Sequence, residues 1–312
     1  MTDLNTHGKI EIINVSRRGL LKGVAATGAF ALALQIPGVK NALADYPTGA
    51  TAMAHGTVNN PNVFISIAGD GTVSIIAARA EMGNGAARTA LPMMVADELE
   101  ADWAKVRVVQ SPGDERTYGN QDTDGSRSVR HWIQPMRHCG AAMRAMLEQA
   151  AAAEWKVDVS EVQAVLHEVV HKPSGRKLSF GHLAGAASGL PVPAADKIKL
   201  KEPGAFRYIG KGLVRIADLV DITTGKAIYG QDIMLPGMKY AVIARPPVVG
   251  GKVASVDTSA ALKVPGVEKI VTLQPTTAPY KFGPLGGVAV IARNTWAALK
   301  GREALKITWD DG

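Results

Sequence analysis

The chain has 312 residues, a hydrophobic share of 46%, a charged share of 20% and a formal net charge of +7. That length gives a prior of about two domains, and the composition excludes the disordered, collagenous and disulfide-rich classes. Its single cysteine, Cys139, excludes an internal disulfide, a Cys-ligated iron–sulfur cluster and a multi-Cys zinc site. The arginines are scattered among acids and apolar residues, with no basic run interleaved with aromatics, so no nucleic-acid partner is expected.

The first 44 residues read as an address. Ser16-Arg17-Arg18-Gly19-Leu20-Leu21-Lys22 precedes an apolar run from Gly23 to Leu34, then Pro37 and the small-residue pattern Ala42-Leu43-Ala44. A charged start, a short apolar core and an A-x-A site make a signal peptide, and the paired arginines make it the twin-arginine type. Residues 1–44 are therefore expected to be a twin-arginine signal, with a periplasmic mature chain starting near Asp45 and a cofactor loaded before export.

Next, Asn62–Ile67 and Thr72–Ala77 flank Gly69-Asp70-Gly71, a hairpin signal. The second strand runs into Ala80-Glu81-Met82-Gly83-Asn84-Gly85. Residues 88–100 then carry Leu91, Met94, Val95 and Leu99 at helical spacing, with Pro92 near the first turn. Lys105–Gln110 reads as a strand and 111–125 as a loop. A helix follows Asp124-Gly125-Ser126-Arg127-Ser128 and runs to about Trp155, with Ser126 as its cap on one of two readings of that turn and Pro135 as a kink or as the start of its regular part. A hairpin is expected around Lys172–Gly175 and a capped helix start at Leu178–Leu183. The stretch 191–215 is polar and rich in Pro and Lys, with 201–215 as a linker. Beyond it, short strands at 223–229, 238–246, 252–256, 267–273, 288–293 and 305–309, with a helix at 295–304, indicate an α+β module. The predicted layout is 45–200 for one domain, 201–215 for the linker and 216–312 for a second domain.

Both glycine turns open helices, and backbone N–H groups at a helix start suit an anion or a polar ring edge. Glycine lets a ligand touch the main chain. At the first turn, Gly83, Asn84 and Gly85 are the candidates; a purely steric strand-to-helix turn is the alternative. At the second, Gly125, Ser126, Arg127 and Ser128 form a plausible phosphate or pterin cradle; a capped helix is the alternative. His131 and His138 share a helix face without a third ligand and read as packing or surface residues, so no protein-ligated metal is expected. No nucleophile elbow, His-Glu-x-x-His, P-loop or dinucleotide fingerprint is present.

The segment AEMGNGAARTALPMMVADELEADWAKVRVVQ resembles the E-M-G-Q-G segment of molybdopterin-binding large subunits in the xanthine dehydrogenase/aldehyde oxidase family. DGSRSVRHWIQPMRHCGAAMRAML resembles that family's G-G-S-R-S turn and helix. The stretches DITTGKAIYGQDIMLPGMKYAVIARPPVVGGKVASVD and LGGVAVIARNTWAALKGREALKITWDDG resemble its a/b hammerhead domain. Their order resembles the isoquinoline 1-oxidoreductase β-subunit branch. The resemblance implies an α+β fold: the N-terminal part of a molybdopterin-binding α/β domain, then a hammerhead.

It also implies a Mo-molybdopterin cofactor, in plain or cytosine-dinucleotide form, held by Gly83, Asn84, Gly85, Gly125, Ser126, Arg127 and Ser128. Molybdenum would carry the redox chemistry, with water as the oxygen source and a glutamate as general base. The implied substrate is an aldehyde or an N-heteroaromatic such as isoquinoline, and the implied electron partner is a small [2Fe-2S] subunit. Two departures stand out. The family's glutamine is Asn84 here, one methylene shorter. Family members also continue well past the position of Gly312, so the base glutamate and most remaining cofactor contacts are expected in a C-terminal half, as a continuation or a second chain. No catalytic residue is assigned to this chain, which is expected to be inactive alone; an inactive remnant or interaction fragment is the alternative.

Overall fold

The computed structural model describes residues 12–14, 64–279 and 283–312. The predicted signal lies outside these residues except for Ile12–Asn14. The chain divides into two compact units, to Tyr229 and from Gly230, later than the 215/216 boundary read from the sequence.

In the first unit, β2 (Ile65–Ile67) and β3 (Val73–Ala77) form the expected antiparallel hairpin, with Ile65 opposite Ile75 and Ile67 opposite Val73. Asp70 closes its turn by accepting from the Thr72 amide at 2.8 Å. β4 (Val106–Gln110) lies parallel to β3, and β1 (Ile12–Asn14) lies parallel to β4, giving the order β1-β4-β3-β2. A parallel pair needs a crossover. Here it is a widened π-type turn, Ala86–Ala90, continued by α1 (Leu91–Leu99). Leu91, Val95 and Leu99 are buried at helical spacing, as the periodicity required.

The partner of α1 is α2 (Arg127–Trp155). Their approach depends on Gly140, where an added Cβ would sit 2.5 Å from the Val95 carbonyl oxygen and 2.9 Å from the Glu98 Cβ. Pro135 neither starts nor ends this helix; it lies inside 29 continuous residues. The interior-proline penalty of about 3 kcal/mol is outweighed by a buried face that includes Trp132, Met136, Cys139, Met143 and Leu147. Ser126 occupies the N-cap position with φ 57 and makes no side-chain cap bond, contrary to the capping expectation. The loop 111–125 contains one short helix, Glu115–Tyr118.

A second sheet, antiparallel throughout, follows: β5 (Val162–Val165), β6 (Glu168–His171) and β7 (Lys177–Ser179). It has one more turn than the sequence indicated, at Leu166-His167, where both residues have positive φ. His167 is buried there. It accepts from the Asp102 amide at Nδ1 (3.2 Å), which leaves Nε2 to donate to the Gly71 carbonyl at 2.7 Å. α3 (Phe180–Ser188) starts as expected, with the Ser179 hydroxyl accepting from the His182 amide.

The supposed linker is strapped to α1. Asp97, fully buried, accepts from the amides of Arg207, Tyr208 and Ile209 at 3.1, 2.9 and 2.9 Å and from Lys201 Nζ at 3.0 Å. Glu98, also fully buried, pairs with Arg137 at 2.7 Å and Arg144 at 3.3 Å. Two adjacent acids in an apolar helix face were the signal for this strap, since buried charges need partners. Burial alone would raise the Asp97 carboxyl, but the three amides and Lys201 together hold it below its ordinary value.

The second unit has a three-stranded antiparallel sheet in the order β10-β11-β8 and a two-stranded β9–β12 ribbon. The strands are β8 (Tyr240–Ala244), β9 (Lys252–Asp257), β10 (Val267–Pro275), β11 (Leu285–Ala292) and β12 (Lys306–Asp310). α4 (Thr295–Glu303) is capped by Asn294, which accepts from the Ala297 amide. These elements match the sequence reading closely. The exception is 223–229: the structure has a helical turn at Leu219–Thr223 and no strand over 224–229. The alternation there is too short to define a ladder, and Gly225 takes φ 71.

Candidate functional site

The carboxyl ends of parallel strands are where α/β domains bind ligands, and both glycine turns sit at that end of β3 and β4. In the first turn Gly83 has φ 93 and Gly85 has φ 75, left-handed values that favour glycine. Two of the backbone amides expected to receive a ligand anion, those of Gly83 and Gly85, are already engaged. Glu81 Oε1 accepts from Gly83 at 2.8 Å and Gly85 at 3.1 Å, while Oε2 accepts from the Arg88 amide at 3.0 Å. The Asn84 side-chain oxygen accepts from the Ala86 amide at 3.1 Å.

In the second turn, Gly125 (φ 46) and Ser126 (φ 57) are both left-handed and exposed. The Arg127 guanidinium is bidentate on Asp124, with Nε at 2.9 Å from Oδ1 and Nη2 on Oδ2. Ser128 is buried and accepts from Arg79 Nε at 3.2 Å, with the Thr123 hydroxyl 3.1 Å away. The Arg127 bonds lead in holding the Asp124 carboxyl below its usual value.

The segments that lead into the two turns are bonded to each other. Arg79, 1% exposed, lies two residues before Glu81 and donates through Nη1 to the Asn120 carbonyl at 2.6 Å and to the Asn120 side chain; its guanidinium also sits over the Trp132 ring. The Ala80 amide donates to the Gln121 carbonyl at 2.9 Å, and the Thr123 hydroxyl donates to the Ala80 carbonyl. Gln110, at the end of β4, donates to the Ala77 and Arg79 carbonyls and accepts from Arg88 Nε at 3.0 Å. A second layer covers the first turn. Arg88 pairs with buried Asp218 at 3.5 Å, the Ala217 amide donates to Thr89 Oγ1 at 2.8 Å, and Ile216 and Tyr229 lie where Cβ atoms on Gly85 and Gly83 would point.

Of the predicted residues, the structure therefore leaves Asn84 and Ser126 exposed at joined turns, whereas Ser128 is an internal strut and Arg127 is paired to Asp124. The sequence reading missed Arg79, Asn120 and Gln121 as the clasp; an arginine at the end of an apolar strand was the available sign. His138 bonds within its own helix, with Nδ1 2.9 Å from the Gln134 carbonyl. Among the described residues no group of three His, Cys, Asp or Glu side chains could hold a metal ion. For a pterin, whose ring edge is polar and uncharged, the exposed amide of Asn84 and hydroxyl of Ser126 are fitting donors.

Parallel strands whose carboxyl ends carry two clasped glycine turns define a ligand-binding α/β domain. A family model of the molybdopterin cofactor-binding domain matches residues 32–227. The aldehyde oxidase and xanthine dehydrogenase a/b hammerhead domain matches residues 224–296. The chain belongs to the molybdopterin cofactor-binding domain family of molybdenum hydroxylase large subunits, with the hammerhead following in sequence.

It is 32% identical to the isoquinoline 1-oxidoreductase subunit beta of Brevundimonas diminuta, over 96% of this chain and 41% of that protein. It is also 32% identical to the membrane-bound aldehyde dehydrogenase [pyrroloquinoline-quinone] of Gluconacetobacter polyoxogenes, over 99% of this chain and 39% of that protein. The chain thus spans about two fifths of the length of these relatives. Among solved structures, quinoline 2-oxidoreductase from Pseudomonas putida 86 aligns over 42% of this chain and 17% of its own, at 18% identity and a TM-score of 0.32.

Proposed function

We propose that this chain supplies the first part of a molybdopterin site in a molybdenum hydroxylase that oxidises an aldehyde or an N-heteroaromatic, with water as the oxygen source. The observation that carries the reading is the clasp joining the two turns through Arg79 and Ala80, which brings Asn84 and Ser126 onto one locked scaffold. When bound, the molybdenum cofactor supplies the two-electron oxidation. This chain's residues would bind and orient: the Asn84 side-chain amide and Ser126 hydroxyl would donate to the pterin edge, while the Arg127–Asp124 pair fixes the second turn. The names of the two relatives support the substrate classes. The general base and the remaining contacts would come from the part of the relatives' length that this chain does not span, and a small [2Fe-2S] subunit would be the electron acceptor. Export to the periplasm follows from the Arg17-Arg18 signal read in the sequence.

The test is pterin and molybdenum content of the assembled enzyme carrying Asn84→Ala with Ser126→Ala. Content well below wild type, with unchanged subunit composition, is expected. Wild-type content would refute the assignment of these two donors.

A further inference from the structure

The three amides at the first turn form a concave nest of the kind that takes an anion, yet the anion is already there. Glu81 reaches forward with both carboxylate oxygens, and its bonds of 2.8, 3.1 and 3.0 Å span Gly83, Gly85 and Arg88. Bonds from neutral donors to an ionised carboxylate are about twice as strong as neutral pairs. They hold both glycines in left-handed geometry, which brackets Asn84 and leaves its side chain exposed. The same carboxylate ties the strand end to the start of the helical crossover. The Arg79–Asn120 clasp immediately before it fixes the backbone from which Glu81 reaches.

We propose that Glu81 is a positioning residue: a built-in anion that fills the nest of Gly83, Gly85 and Arg88 amides, excludes a phosphate from it, and presents Asn84 outward as the turn's contact with ligand. For its consequence on cofactor retention this rests on the functional reading above; the occupancy of the nest does not.

Hydrogen exchange of the full chain, followed by mass spectrometry over 79–91, tests it. The Gly83, Gly85 and Arg88 amides should be protected in wild type, and inorganic phosphate should leave their exchange unchanged. Glu81→Ala should quicken them by about tenfold or more, the equivalent of about 1.4 kcal/mol, while α2 amides stay as they were. Added acetate should restore part of the protection, which no loss of packing alone would allow. Glu81→Gln keeps the side-chain volume and carries the test if the alanine variant does not fold; it too should exchange faster.

Wild-type exchange in Glu81→Gln, no acetate effect on a folded Glu81→Ala, or phosphate protection of the wild-type turn would overturn the proposal. In the assembled enzyme, Glu81→Gln should retain less pterin after dialysis. A wild-type assembly without pterin would defeat the functional reading and leave the exchange result standing.

Discussion

Replacing Asp97 should cost the first unit more than any single surface change. Its carboxylate takes three backbone amides at 2.9–3.1 Å and the Lys201 ammonium at 3.0 Å, with none of its surface exposed. Each amide bond to a charged acceptor contributes about 1.5–3 kcal/mol. A full sum overshoots, because the strap can lift and let water reach the freed amides. Breaking a buried ion pair by removing one partner costs about 3–5 kcal/mol, and we expect Asp97→Ala to fall in that range. Asp97→Asn keeps one acceptor oxygen but turns an NH2 group toward amide donors, so about 2–3 kcal/mol is expected. Urea unfolding checks both, with tryptophan emission as one probe, since Trp103 packs 6.3 Å from the Tyr208 ring at the strap. Far-UV circular dichroism is the second probe. A loss below about 1 kcal/mol for Asp97→Ala would show that the strap contributes little and that the buried acid is not held by it.

Gly140→Ala should destabilise by about 1–3 kcal/mol, because the new methyl would meet the Val95 carbonyl at 2.5 Å; an unchanged urea midpoint would contradict the helix contact. Burial leads the causes that hold His167 below its ordinary 6.5. The folded state therefore binds fewer protons than the unfolded state between the two values. Its contribution is complete above about 6.5 and lost as pH falls from there through the lower folded value. Wild type should lose stability between pH 7 and 5 more steeply than His167→Gln; equal slopes would refute this. Cys139 is buried and its thiol is pushed up to about 12 by that burial, so Ellman's reagent at pH 8 should react only on unfolding, and rapid reaction with the native chain would contradict its position.

Most elements with a clear period could be read from the sequence. The hairpin at 65–77, the helix at 91–99 and the β8–β12 module follow from apolar alternation and glycine placement. What escaped were features set by tertiary pairing. Pro135 argues locally for a helix boundary, yet the packing of Trp132 and Met136 carries the helix through it. The 201–215 stretch looks like a linker because its lysines and glycines have no periodicity, but Asp97 and Glu98 recruit its backbone. At the site, the glycine turns were legible and their junction was not, since it depends on bonds from Arg79 and Ala80 to residues some forty positions away. At the first turn, the carboxylate two residues before Gly83 satisfies the Gly83 and Gly85 amides, a pairing that the local pattern did not announce.

The central claim is that the joined turns form part of a loaded molybdopterin site. Its most direct test is a paired measurement on the protein purified from its native source: intact mass of every co-purifying polypeptide, with molybdenum and pterin quantified in the same fraction. The account predicts one molybdenum and one pterin for each copy of this sequence, together with the polypeptide that completes the site. A fraction that contains this sequence and that completing polypeptide, but neither molybdenum nor pterin, would contradict it.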